Sequence, residues 1–357
     1  MSRFLNRRLG VLEPYTPGEQ PKNIQRLIKL NTNENPFPPG EPVKRAYEQT
    51  DWRRLRLYPQ PDATGLIEAA AAVWGVEKDQ IIAGNGSDEI LAFCFQAFGD
   101  SGIAFPDITY GFYQVWAGLY GVTANIIPLS DDLSINIEDY AGAKGVVLIA
   151  NPNAPTGQFL YSGAIRALLE QDEDRLVIVD EAYGDFAAES VIPLIDEYDN
   201  LLVVRTLSKG YSLAGARIGF AIGCAELIDD LRRVKYSFNP YNINSVSMAV
   251  AEAALKDREY FNSCRWQVIE ERQRLTEALR DLGFKVEDSS ANFIFPGENP
   301  RLPAGKWFTE LRKYGIITRY FPGERTGDHL RITVGLREEN DALLSATEEI
   351  LEGGTQA

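Results

Sequence analysis

Residues 206–220 read TLSKGYSLAGARIGF. An apolar run, LLVVRT (201–206), ends there on Ser208 and Lys209. Small residues follow, Gly210, Ala214, Gly215 and Ala216, and then Arg217. A lysine at a strand exit ordinarily lays its stem along the surface and carries its ammonium to solvent. The other reading is an amine held for Schiff-base chemistry. Ser208 and Arg217 bracket the lysine with two groups suited to a phosphate. The small residues between them leave room for a ligand.

Outward from this stretch, further short β-branched runs recur: QIIAGNG (80–86), SGIAFP (101–106), GVVLIA (145–150), RLVIVD (175–180) and RIGFAIG (217–223). They are apolar on both faces, as strands of a covered, mostly parallel sheet are. Helical patterns such as ATGLIEAAAAVW and YSGAIRALLEQ lie between several of them. The alternation predicts an α/β fold with a doubly wound central sheet, whose ligands lie beyond the strand ends. After about residue 245 the texture changes to one long helical stretch, broken once, then SANFIFP, a helix near 304–314, GIITRYF, LRITVG and a last helix within 337–352. This reads as a smaller α+β unit. The expected division is an irregular arm over 1–40, a large unit over 41–245 and a small one over 246–357.

Composition narrows the function classes. A chain of 357 residues with 45% hydrophobic content exceeds what a single core usually holds, which fits two units. A formal net charge of -15 repels nucleic acid and anionic lipid, so neither is an expected partner. Cys94, Cys224 and Cys264 form no C-x-x-C pair and the chain has one histidine, so neither a disulfide framework nor a metal site is expected. No apolar run approaches the ~20 residues that span a bilayer, and the N-terminus lacks a signal-peptide core. A cytoplasmic protein without membrane contact is expected.

Other residues gain meaning beside Lys209. Asp180 ends the strand RLVIVD. Such a carboxylate is usually a turn or cap residue, yet a pyridoxal cofactor needs an anion against its pyridine nitrogen. Tyr183, three residues on, either packs as an ordinary tyrosine or donates to the cofactor's phenolic oxygen. AGNGSDEI (83–90) opens a helix after a strand. Its Gly86, Ser87 and Asp88 suit one phosphate at a helix N-terminus better than a dinucleotide, because Glu89 replaces the third glycine of that fingerprint. Tyr110, in PDITYGFY (106–113), either packs plainly or stacks on a flat ring.

The order and spacing of these features resemble the fold-type I pyridoxal-phosphate aminotransferases. The stretches LNTNENPF, LYPQPDATGL, GNGSDEIL, TYGFY, NPNAPTG, VIVDEAYGDF, RTLSKGYSLAGARIGF and LRITVGLREEN resemble in particular the histidinol-phosphate aminotransferase family. The resemblance implies a large domain with a mostly parallel sheet, a smaller α+β domain, and an arm packed at the active site. It implies pyridoxal 5'-phosphate as cofactor, joined to Lys209, which also shuttles the proton. Asp180 would face the pyridinium nitrogen, Tyr183 the phenolic oxygen and Tyr110 the ring. Gly86, Ser87, Asp88, Ser208 and Arg217 would hold the phosphate. Tyr58, of LYPQP, would reach the neighbouring subunit's cofactor in a homodimer. Arg319, Arg331 and Tyr15 would bind an amino donor and a 2-oxo acid. Relatives commonly carry asparagine just before PTG, contacting the phenolic oxygen; here Ala154 stands, with Asn153 adjacent. The leading expectation is transfer between histidinol phosphate and 2-oxoglutarate. The alternatives are an aromatic amino-acid aminotransferase, a threonine-phosphate decarboxylase, and a non-catalytic pyridoxal-binding protein.

Overall fold

Alternate residues of the apolar runs point to opposite faces, and both faces find helices to bury them. In this computed structural model, which describes residues 2–20 and 27–353, Val147, Ile149, Val177, Val179, Leu201 and Val203 share one core. Val146, Leu148, Ile178, Leu202 and Val204 share the other. Met1 and residues 21–26 of the expected arm, and the last four residues of the small unit, lie outside the described residues.

The strands are β1 (Ile28–Lys29), β2 (Ile81–Gly84), β3 (Ile103–Pro106), β4 (Ala124–Ile127), β5 (Val146–Ala150), β6 (Val177–Asp180), β7 (Leu201–Thr206), β8 (Gly219–Gly223), β9 (Phe293–Ile294), β10 (Ile316–Ile317), β11 (Arg319–Tyr320) and β12 (Leu330–Thr333). The helices are α1 (Glu41–Glu48), α2 (Thr64–Trp74), α3 (Ser87–Phe98), α4 (Phe112–Tyr120), α5 (Ser162–Glu170), α6 (Ala225–Phe238), α7 (Ser245–Lys256), α8 (Arg258–Asp281), α9 (Ala304–Leu311) and α10 (Arg337–Leu351).

Seven strands form the central sheet in the order β2-β8-β7-β6-β5-β3-β4. It is mostly parallel; β8 alone runs antiparallel to both of its neighbours. Residues of α2, α5 and α7 cover one face and residues of α3, α4 and α6 the other. The edge strand β4 was not among the runs singled out above. Its four residues are mostly half-buried, so ANII lacks the continuous apolar signal of its neighbours.

The long helical stretch breaks once, at Asp257. That residue closes α7 and caps α8, its side chain accepting the Tyr260 amide. A third core gathers Leu275, Leu279, Trp307, Leu311, Leu343 and the arm residue Leu30. Here β12 pairs with β9 and β11, and β1 of the arm pairs with β10. The arm is thus stitched to the C-terminal part of the chain. In the central sheet Ala150 is opposite Asp180, and Asp180 opposite Val204. β5 and β6 therefore end level with each other, β7 runs on two residues to Thr206, and the loops carrying NPNAPTG, DEAY and SKGYSLAGAR leave from one edge.

Candidate active site

At that edge Lys209 lies half-buried, its Nζ 3.3 Å from the Thr32 carbonyl and 5.6 Å from the centre of the Tyr183 ring. Asn35 pins the lysine loop by donating to the carbonyls of Lys209 and Gly210 at 3.0 and 3.1 Å. Below it, buried Arg205 pairs with Glu181 at 2.7 Å and with Asp185. The strand ends bearing Asp180 and Lys209 are thereby braced against each other.

Asp180 is buried. Its carboxylate accepts from the Tyr113 hydroxyl at 2.7 Å and the Ala182 amide at 3.0 Å. Burial pushes this carboxyl up to about 6, and the two donors oppose the rise. Sequence reading missed Tyr113, although it stands in the quoted TYGFY. Its only signal there is its place in the first turn of a helix that follows a strand.

A cationic cup lies alongside. Gly86, at φ +83, precedes Ser87, the first residue of α3, so free helix N–H groups face the cup. A β-carbon on Gly86 would strike the Arg217 guanidinium. Arg217 itself holds a left-handed backbone, φ +56, which residues other than glycine rarely adopt. Its Nη1 lies 3.4 Å from Ser208 Oγ and its Nη2 2.9 Å from Asp88. Asp88 also accepts from Tyr110 at 2.8 Å. Behind the cup, Gly219 of β8 touches Gly86 and Ser87 backbone to backbone, and any β-carbon there would overlap the Ser87 nitrogen.

Pyridoxal phosphate suits this donor set. The inner pocket offers an amine, a buried anion, a tyrosine hydroxyl and a second tyrosine ring, beside a cup of cation, hydroxyls and helix N–H groups. Ala154 is buried against Tyr183, Ala291 and Phe293. The adjacent Asn153 does not stand in for the missing amide. It is fully buried and bridges the loop ahead of α4 to its own turn, accepting from Thr109 and donating to the Ile108 carbonyl and Thr156.

The inner pocket opens past Tyr110, Ala154, Tyr183 and Lys209 into a cleft of about 670 Å³. Tyr15, stacked on Phe112 at 4.3 Å, lines the cleft together with Arg319 and Arg331. Those arginines are direct cross-strand partners on β11 and β12. Like charges so placed repel, and neither has a carboxylate within ion-pair distance among the described residues. Arg331 donates from Nη2 to the Asn31 carbonyl at 3.0 Å, while its buried Nε has no partner among the described residues. Burial lowers the pKa of this guanidinium. A buried unpaired donor beside a second cation is a site for an anion.

Tyr58 is the one expected site residue not brought to this place. It is 81% exposed and stacks on Tyr241 at 4.5 Å. Among the described residues no helix is long and apolar enough to cross a membrane, and no cluster of His, Cys, Asp or Glu is placed to hold a metal ion.

The family model "Aminotransferase class I and II" matches residues 25–346. Histidinol-phosphate aminotransferase 2 of Dechloromonas aromatica is 49% identical over 98% of this chain and 99% of its own length. Histidinol-phosphate aminotransferase of Clostridium acetobutylicum is 44% identical over 98% of this chain and 100% of its own. The crystal structure of histidinol-phosphate aminotransferase from Sinorhizobium meliloti in complex with pyridoxal-5'-phosphate superposes with a TM-score of 0.83. It covers 91% of this chain and 90% of that one at 24% identity, and so speaks for the fold. Matched by this family model over residues 25–346 and by these relatives over nearly its whole length, the chain belongs to the aminotransferase class I and II family.

Proposed function

We propose that this chain is a pyridoxal-phosphate-dependent transaminase that moves an amino group between histidinol phosphate and 2-oxoglutarate. The observation that carries the substrate reading is the facing pair Arg319 and Arg331, with the unpaired Nε of Arg331. A planar guanidinium fork takes a phosphate or a carboxylate. The two substrates present one and then the other in alternate half-reactions. The relatives that are 44–49% identical carry the same substrate in their names.

Pyridoxal phosphate, when bound, supplies the electron sink that makes a proton on the substrate's α-carbon labile. The chain's own residues do the rest. Lys209 Nζ moves that proton. Asp180, its charge supported by Tyr113 and Ala182, would face the pyridine nitrogen as its counter-anion. Tyr183 would donate to the ring oxygen and Tyr110 would hold the ring. The N–H groups at Gly86 and Ser87, with Ser208 and Arg217, hold the phosphate, and Asp88 orients Arg217 and Tyr110. Tyr15 closes over the substrate beside Arg319 and Arg331. The division into an arm over 1–40, a large unit over 41–245 and a small unit over 246–357 belongs to the same reading, as does a reducing cytoplasm for its three free cysteines.

The protein works as a homodimer in this reading. Trp52, Leu55, Tyr58, Phe238 and Tyr241 are exposed, between 42% and 81%, an apolar set that a second copy would cover. Tyr58 then contributes to the neighbour's phosphate cup. Mixing Tyr58→Phe with Lys209→Ala should restore part of the activity, because each hybrid dimer has one site free of both defects. No restoration after demonstrated subunit exchange refutes the shared site.

The function itself is tested with a panel of amino donors on the cofactor-loaded protein. Histidinol phosphate should give the highest kcat/KM, and threonine phosphate should release no carbon dioxide. A higher value with aromatic amino acids, or carbon dioxide release, assigns the site to one of the alternatives.

A further inference from the structure

Beside Tyr183 the position before PTG holds a methyl group, and Asn153 is committed to Ile108, Thr109 and Thr156. An amide nevertheless reaches Tyr183 from the other end of the chain. Asn33 Nδ2 donates to the Tyr183 hydroxyl at 2.9 Å. Asn33 is buried to 1% exposure and lies at φ +56, a left-handed conformation that asparagine tolerates better than most residues.

The orientation of this amide follows from its neighbours. Thr333 Oγ1 accepts the backbone N–H of Asn33 at 3.0 Å, so its own proton is free to go to Asn33 Oδ1, also at 3.0 Å. With Oδ1 used as an acceptor, the NH₂ end faces Tyr183. The Tyr183 ring is fixed edge-on to Phe293, 4.9 Å between centres, which leaves the hydroxyl proton as its free variable. A hydroxyl that accepts from an amide turns its one proton elsewhere and becomes a better donor. Tyr183 lines both the inner pocket and the cleft beside Lys209.

We infer that Asn33 is a positioning residue: it fixes the Tyr183 hydroxyl as a donor toward the cofactor's ring oxygen, the contact for which Ala154 offers no amide. The same segment carries more than this bond. Arg331 donates to the carbonyl of Asn31, Lys209 to that of Thr32 and Asn292 to that of Asn33, the last at 3.0 Å. The substrate fork, the lysine and the tyrosine hydroxyl are therefore all referred to three consecutive residues of the arm.

The inference rests on the pyridoxal-phosphate reading, and one titration separates the two. The measurement is the pH midpoint of visible absorption of the loaded protein, which follows loss of the proton between the Lys209 nitrogen and the ring oxygen. A donor to that oxygen favours its charged form and lowers the midpoint. Asn33→Gly removes the amide and keeps the left-handed backbone accessible. It should raise the midpoint by about half a pH unit, the scale of one neutral hydrogen bond. Tyr183→Phe should raise it further. In the double variant Asn33→Gly with Tyr183→Phe the midpoint should equal that of Tyr183→Phe alone, because the amide acts through the hydroxyl. Thr333→Val, which frees the amide to turn, should shift the parent in the same direction by less, and it supplies the test if the glycine variant does not fold. An unchanged midpoint in Asn33→Gly, or an equal rise with and without the Tyr183 hydroxyl, overturns the positioning role. A parent protein that forms no absorbing adduct at Lys209 overturns the function proposed above, and this inference with it.

Discussion

The inner pocket and the outer cleft are built in different ways. Asp180, Lys209, Ser208 and Arg217 come from the edge of one sheet, within 38 residues of sequence, on loops leaving strands whose register is fixed by an unbroken buried core. The cleft is assembled from remote segments. Arg331 bonds to Asn31 and Arg319 to the carbonyls of Thr16 and Pro17, each across some 300 residues. One region is a property of a sheet end; the other is a property of how the arm and the C-terminal strands meet above it. The difference predicts that the chemistry and the choice of substrate can be damaged separately.

The largest effect is expected at the sheet end. Lys209→Ala should lower turnover by at least ~10⁴-fold, since general acid–base catalysis alone contributes about 10²–10⁴ and the covalent link is lost as well. Its melting temperature without cofactor should stay within a few degrees of the parent, because Lys209 makes no ion pair among the described residues. Substantial residual turnover would move the proton shuttle to another residue.

In the cleft, Arg331→Ala should raise KM for both the amino donor and the 2-oxo acid. Truncating one partner of a desolvated charge pair typically costs about 2–5 kcal/mol. Retention of the cofactor, measured by equilibrium dialysis, should hardly change. A loss of cofactor of comparable size would mean that the two regions form one cooperative site, and the comparison above would fail.

A smaller effect separates stability from function inside the pocket. Asp180 titrates near 6 in the folded chain and near 3.9 when unfolded. Between those values the folded state keeps a proton that the unfolded state has shed, so this group erodes stability as pH rises through the window. Above both values the loss is complete, on the order of 2–3 kcal/mol. Asp180→Asn does not ionise. Without cofactor, its stability relative to the parent should therefore improve by about 2 kcal/mol between pH 4.5 and pH 8, while its cofactor binding worsens. Urea unfolding of the two proteins at both pH values decides this; a constant gap refutes it.

The uneven construction also explains what could be read in the sequence. The strand runs announce themselves because helices cover both faces, and the single break at Asp257 is visible as a capping residue inside a long helical pattern. The sheet-end residues follow those strands directly, so spacing alone suggests a phosphate and an amine in one place. Arg319, Arg331 and Tyr15 carry no such local signal and were placed by resemblance. Asn33 and Tyr113 escaped because their meaning is a partner 150 or 67 residues away. The motif showed an amide missing at Ala154, but not that another would arrive from the arm.

Gly219 has a consequence for how such a protein can change. The cup of Gly86, Ser87 and Arg217 rests on β8 through backbone contact, with no side chain between them to adjust. Its position is inherited from sheet register, and the alphabet at residue 219 is reduced to one letter. The arginines of the cleft stand on short strands against the arm, where loops and side chains offer many alternatives. The cleft can be varied there by ordinary mutation while the cup stays where the sheet puts it.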